Sequence, residues 1–171
     1  DPSTFLSSVP VCTSRAARDS LVEIGADNRL QPALAESWEA SPDAKTWRFK
    51  LRSGVEFSDG KSLTPEDVIN SINVHRGDQS KSGAKGVFEQ ITDVKADGGV
   101  VVVQLNAANA DFPWVLTDYH MTVLPTKDGK ADVLLPVGTG CYKIAEFQPG
   151  VRVALERNPN SWQSGTAGFV D

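Results

Sequence analysis

Residues 55–72 read VEFSDGKSLTPEDVINSI, and within them the hydrophobic period changes from two to about 3.6. Val55 and Phe57 alternate with polar residues, as in a half-buried strand. Val68, Ile69 and Ile72 then recur at helical spacing, with His75 on the same stripe. The boundary is punctuated on both sides. Asp59-Gly60 offers a tight turn, and Thr64 stands where a helix N-cap belongs. Pro65 takes the first helical position, where its missing N–H costs nothing, and Glu66 and Asp67 oppose the helix dipole in the first turn. This strand-turn-helix corner predicts a fold that mixes both element types, and nothing in it requires chemistry.

The flanking sequence extends the same pattern. TWRFKLR places Trp47, Phe49 and Leu51 on one face and Arg48, Lys50 and Arg52 on the other. With Val55 and Phe57 it reads as a small antiparallel ribbon. Residues 33–38 form a short apolar segment, and a turn at 41–44 leads into the ribbon. ITDVKADGGVVVVQL reads as two strands joined at Asp97-Gly98-Gly99. CYKIAEF and VRVALER form a second strand-turn-strand unit around Gln148-Pro149-Gly150. Between these units, DFPWVLTDYHMTVLP predicts a short helix after Pro113 and an extended segment ending at Pro125. The polar run from 77 to 86, GDQSKSGAKG, is expected to be a mobile surface loop. The fold class is therefore mixed α+β, built of antiparallel ribbons and short helices.

Composition excludes several functions. A net charge of -5 over 171 residues, with no basic stripe, opposes binding to nucleic acid or an acidic membrane surface. No apolar run approaches the roughly 20 residues that cross a bilayer, and no signal-like start is present. The two cysteines, Cys12 and Cys141, and two distant histidines match no zinc spacing, so no metal and no cofactor is expected. The cysteines either pair with each other or stay free.

Motifs for catalysis are missing from the sequence. It has no G-x-S-x-G elbow, H-E-x-x-H, C-x-x-C or P-loop, and GTGCYK at 138–143 lacks the third glycine of a dinucleotide fingerprint. His75 and His120 read as packed or surface side chains rather than general bases. Glu66 and Asp67 are explained by their place in a helix first turn. The chain is not expected to be an enzyme.

Two long phrases rise above this background: LQPALAESWEASPDAKTWRFKLRSGVEFSDGKSLTPEDVINSI, and then PVGTGCYKIAEFQPGVRVALERNPNSW. In order and spacing they resemble the solute-binding proteins of ABC importers in the oligopeptide, dipeptide and nickel group, family 5. The resemblance runs from Asp1-Pro2 to Trp162. It implies part of lobe I of a two-lobed type II periplasmic binding protein, which captures a peptide-like solute and delivers it to the membrane permease of an ABC importer. The implied location is periplasmic, or extracellular and lipid-anchored. A receptor for a metal chelate, opine or sugar in the same family is the alternative, as is a sensor or interaction module without transport.

The resemblance also nominates residues. The segment after the DP phrase lines the cleft in the family, which here gives Leu6, Ser7, Ser8 and Val9 as ligand-binding candidates. The segment before Pro125 gives Tyr119, His120 and Met121, with ordinary packing as the competing reading. Gly138, Thr139 and Gly140 correspond to a tight turn near the hinge whose role is structural. The expected division is a cleft-lining segment at 1–30, an inserted ribbon-and-helix subdomain at 31–135 and a return hairpin at 136–171. Family members are longer, so the chain is expected to be a fragment whose second lobe, with its charged anchors, is absent. Position 141 often carries proline in the family, which makes Cys141 a departure.

Overall fold

The computed structural model describes residues 1–4, 8–148 and 151–163. A 3-10 turn, Pro2–Thr4, precedes helix α1, Ser8–Ala17. Strands β1, Val22–Ile24, and β2, Leu30–Pro32, pair as a short hairpin. The central sheet follows, with β3 at Ala35–Ala40, β4 at Thr46–Leu51, β5 at Ile91–Asp97 and β6 at Val100–Leu105. Its order is β3-β4-β6-β5 and every pairing is antiparallel.

Helix α2, Pro65–Val74, packs on this sheet, and the single-turn helices α3, Lys85–Phe88, and α4, Phe112–Val115, add Phe88 and Phe112 to the same core. A two-residue ribbon, β7 at Thr126–Lys127 and β8 at Lys130–Ala131, lies against α2. The long hairpin of β9, Tyr142–Gln148, and β10, Arg152–Arg157, completes the described chain.

The period-two reading of β4 sets the layers. Trp47 and Phe49 are buried and meet Phe112 in an aromatic cluster with centroids 6.3–6.4 Å apart. Arg48 and Lys50 point away, Lys50 pairing with Glu36 on the adjacent β3 and Arg48 reaching across β6 to Asp97 on β5. Behind the inner face, Val68 and Ile72 of α2 join Phe57, Phe88, Val101 and Val103 in one core. The helix start is as the sequence requires. Thr64 has extended backbone and accepts from Asp67 N, while Asp67 returns a bond to Thr64 N.

Two expectations change. Residues 55–63 do not continue β4 as a hairpin partner. They form their own small loop, with Leu63 N donating to Val55 O and Phe57 N to Lys61 O, while β4 pairs with β3 and β6. The run 77–86 is not wholly a surface loop, because Ser82 and Ala84 are buried. The Ser82 hydroxyl lies 2.6 Å from His75 Nδ1 and accepts from Ala84 N, which anchors the loop to the end of α2. Of the two alternatives left open for the cysteines, the free one holds: Cys12 is exposed, and the Cys141 thiol donates a hydrogen bond to Gln163.

No helix among the described residues is long and apolar enough to cross a membrane.

Candidate functional site

Helix α1 is the organising element, because the return segment grips its C-terminal end. Gly140 N donates to Ala17 O at 3.0 Å, and buried Arg18 donates to the carbonyls of Val137 and Leu135. Burial lowers the Arg18 guanidinium to about 10. A Cβ on Gly138 would stand 2.1 Å from Ala17 O, and one on Gly140 2.7 Å from Ala16 O. Both positions need glycine for close backbone approach, so this turn is structural. Asp19 ties the same joint from the other side. Its Oδ2 accepts from Thr139 Oγ1 and from Trp162 Nε1, each at 2.9 Å.

The opposite flank of α1 is fixed to the segment that follows α4. Arg15 donates to Thr117 O at 2.7 Å, and Val123 N donates to Asp19 O at 2.9 Å. Residues 117–123 are therefore tied to the C-terminal end of α1 and to the residues just after it, and together they make a wall.

Two concavities flank this wall. The larger is an apolar groove of about 470 Å³ between the outward residues of α1, chiefly Val9, Pro10 and Thr13, and the hairpin residues Ile144, Phe147 and Val153. Val9 is 69% exposed at its rim, and Leu134 and Val151 are also exposed there. The smaller is a polar pocket of about 50 Å³ lined by Arg15, Asp19, Ser20, Glu23 and Thr122. Arg18 lines both. Burial raises the carboxyl of Asp19 despite its two donors. Burial and then the Asp19 charge raise Glu23, partly offset by Arg15.

The nominated residues distribute unevenly over this surface. Leu6 and Ser7 lie outside the described residues. Ser8 is exposed at the start of α1, and Val9 lines the groove. Tyr119 is 38% exposed, its ring 3.9 Å from that of His120. His120 is buried, held by Asp118 through Nδ1 at 2.7 Å, and it covers Gly83, where a Cβ would meet its Nε2 at 2.7 Å. Gly83 N also donates to Ser3 O, so the N-terminal turn and the His120 segment meet across this loop. Met121 belongs to the hydrophobic core at 1% exposure, and packing is its observed role.

Sequence reasoning passed over Asp19, Glu23 and Thr122. Their one sequence signal is the spacing of four between the two carboxylates, beside a chain reversal that only the fold reveals. No group of three or more His, Cys, Asp or Glu among the described residues is placed to hold a metal ion.

A wall between an apolar groove and a small polar pocket is an arrangement that can present contacts to a ligand. Comparison with known proteins gives the chain a family. The model of bacterial extracellular solute-binding proteins, family 5 Middle, matches residues 29–169, and the chain belongs to this family. It is 29% identical over 172 residues to the periplasmic oligopeptide-binding protein OppA of Haemophilus influenzae, covering 84% of this chain and 31% of that one. It is 30% identical over 147 residues to the HTH-type transcriptional regulator SgrR of Yersinia enterocolitica, covering 84% of this chain and 25% of the relative. Among solved structures, that of the periplasmic binding protein AgaA from A. tumefaciens in complex with agropinic acid superposes with a TM-score of 0.79 at 26% identity. That match covers 91% of this chain and 32% of the other. The fold is thus that of part of a two-lobed periplasmic binding protein, and the chain spans about a third or less of the length of these relatives.

Proposed function

We propose that the chain is part of the solute-capturing component of an ABC importer, acting in the periplasm or at the outer face of a membrane on a peptide-like solute. It works by binding and handing the solute to a permease, not by catalysis. The observation that carries this reading is the wall made by α1 and residues 117–123, which sets an apolar groove of small-molecule size beside a polar pocket. Ser8, Val9, Tyr119 and His120 are proposed to meet the solute, and of these Val9 lines the groove; Leu6 and Ser7 belong to the same segment as Ser8 and Val9. Family membership and the oligopeptide-binding relative support the transport role.

A second reading has specific support. The AgaA neighbour was solved with agropinic acid, which favours an opine or related small molecule as the alternative solute. The likeness to a transcriptional regulator keeps a sensor role as a further alternative.

Native mass spectrometry of protein purified without refolding tests the proposal by identifying the small molecule that travels with it. A bound peptide is the expected result. A metal chelate, opine or sugar would overturn the peptide assignment, and a bound macromolecular partner without any solute would overturn the receptor role.

A further inference from the structure

Thr122 is 4% exposed, and its hydroxyl has no hydrogen-bond partner among the described residues. It lines the polar pocket together with Ser20, Ala33, the carboxylates of Asp19 and Glu23, and the arginines Arg15 and Arg18. A buried hydroxyl left without a partner is destabilising, so its position in a pocket with two carboxylates requires a reason.

The hydrogen bonds of the surrounding groups point to what is missing. Ser20 Oγ donates to Val22 O. Asp19 receives only neutral donors, the Thr139 hydroxyl and the Trp162 indole. Glu23 accepts no hydrogen bond among the described residues. Neither carboxylate forms an ion pair there. Of the two guanidiniums that also line the pocket, Arg18 is spent on Val137 O, Leu135 O and Ser14 Oγ, while Arg15 gives one donor to Thr117 O and acts on Glu23 only through its charge, without an ion pair. The unmet demand is for a compact cationic donor that reaches Glu23, Asp19 and Thr122 together.

The pocket's size narrows the choice. A volume of about 50 Å³ suits a contact made by a group of a few heavy atoms, with the rest of the molecule outside the pocket. A primary ammonium carries three N–H donors, which matches three acceptor groups. We propose that this pocket is a binding site for a primary ammonium group, held by Glu23, Asp19 and the Thr122 hydroxyl. It rests on the receptor reading only for the identity of the molecule that carries the ammonium. A peptide N-terminus and a lysine-type amine share this chemistry.

The test uses methylammonium chloride as probe, followed by NMR of the backbone amides of the 171-residue chain at constant ionic strength. Sodium chloride, tetramethylammonium chloride and sodium acetate are the controls. Saturable shifts at Ser20, Glu23 and Thr122 are expected for methylammonium alone. Two non-hydrogen atoms limit the probe to a dissociation constant of about 10 mM or weaker. Glu23→Gln should weaken binding about tenfold, since it removes one charge-assisted hydrogen bond. Thr122→Val should weaken it further while preserving side-chain shape. If that variant does not fold, Glu23→Gln decides alone, because Glu23 is only half-buried.

Equal shifts with sodium or tetramethylammonium, preferential binding of acetate, or an unchanged affinity in Glu23→Gln would overturn the proposal. Trialanine and Nα-acetyl-lysine amide then separate the two sources: a response to either supports the site and shows which amine it takes. None of these probes depends on the co-purified solute. A pocket that ignores methylammonium in a protein that carries a peptide refutes the site and leaves the receptor reading intact.

Discussion

Thr126 donates its backbone N–H to Oδ1 of Asp67 at 2.6 Å, so the first turn of α2 holds the start of a ribbon 59 residues further along the chain. The same fully buried carboxylate accepts from Thr64 N at 2.9 Å, from Thr64 Oγ1 at 2.7 Å and from the Lys61 ammonium. Burial alone would push its proton affinity up. The Lys61 and Thr64 donors, with the Thr126 and Thr64 amides, more than offset this and hold the carboxyl below its usual range. A capping residue has thus become the hub of the corner.

Asp67→Asn should therefore cost about 3 kcal/mol, in the range for breaking a buried pair, while Thr64→Ala should cost only about 1 kcal/mol. Urea denaturation measures both, through a lowered midpoint at unchanged slope. A cost for Asp67→Asn no larger than for Thr64→Ala would show that the cap, not the hub, carries the interaction. Neither change should alter solute binding, because this corner lies in the scaffold.

Gly138→Ala should be among the most damaging single-methyl additions in the chain. Its Cβ would meet a backbone oxygen, Ala17 O, at 2.1 Å, and backbone cannot swing aside as a side-chain tip can. The joint between α1 and the return hairpin must open to accept it, which places the cost at about 3 kcal/mol or more. Gly98→Ala is the contrast. Nothing lies within 4 Å of the added carbon there, and only the positive φ of 58° is strained. Thermal melts of the two variants side by side check the order.

The sequence spoke clearly where a pattern is local. Thr64, Pro65 and the Val68-Ile72 stripe predict α2, and alternation in TWRFKLR predicts both the burial of Phe49 and the solvent face of Arg48 and Lys50. Partnership between distant segments left no such trace. The pairing of β4 with β6 and the meeting of Asp19 with Thr139 and Trp162 join residues far apart in the chain, and the burial of Ser82 against His75, only seven residues away, is hidden by the polar run around it. Periodicity reports which face of an element is buried, not what covers it. For the same reason Val9 could be nominated from its segment, whereas the pocket beside Thr122 needed coordinates.

Cys12 and Cys141 should titrate as two free thiols in the unfolded, unreduced chain. In the native state they should react at different rates. Cys12 is exposed, while burial raises the Cys141 thiol and so lowers its thiolate fraction, and Gln163 holds its sulfur. Cys12→Ser should remove the fast phase of reaction with a chromogenic disulfide and leave the slow one. Absence of reactive thiol in the unfolded chain would demonstrate a bridge.

His75 should make the fold sensitive to mild acid. Its ring is buried between Ser82 and Phe88, with Nδ1 2.6 Å from Ser82 Oγ and the rings 4.7 Å apart, and burial lowers it to about 4, with a smaller contribution from His120. The ordinary value near 6.5 applies in the unfolded chain. Between those limits the unfolded state binds the extra proton, so stability is complete above about pH 6.5 and falls as the pH is lowered toward 4. Two and a half pH units correspond to at most about 3 kcal/mol. Asp19, raised by burial, acts in the opposite sense in the lower part of this window, so the total slope is not assigned to His75 alone. The difference between wild type and His75→Gln isolates its share. Urea midpoints measured from pH 7.5 to 4.5 should fall more steeply for the wild type, even if the variant is less stable at pH 7.5. Parallel profiles would mean that the imidazole becomes protonated without loss of the packing around it.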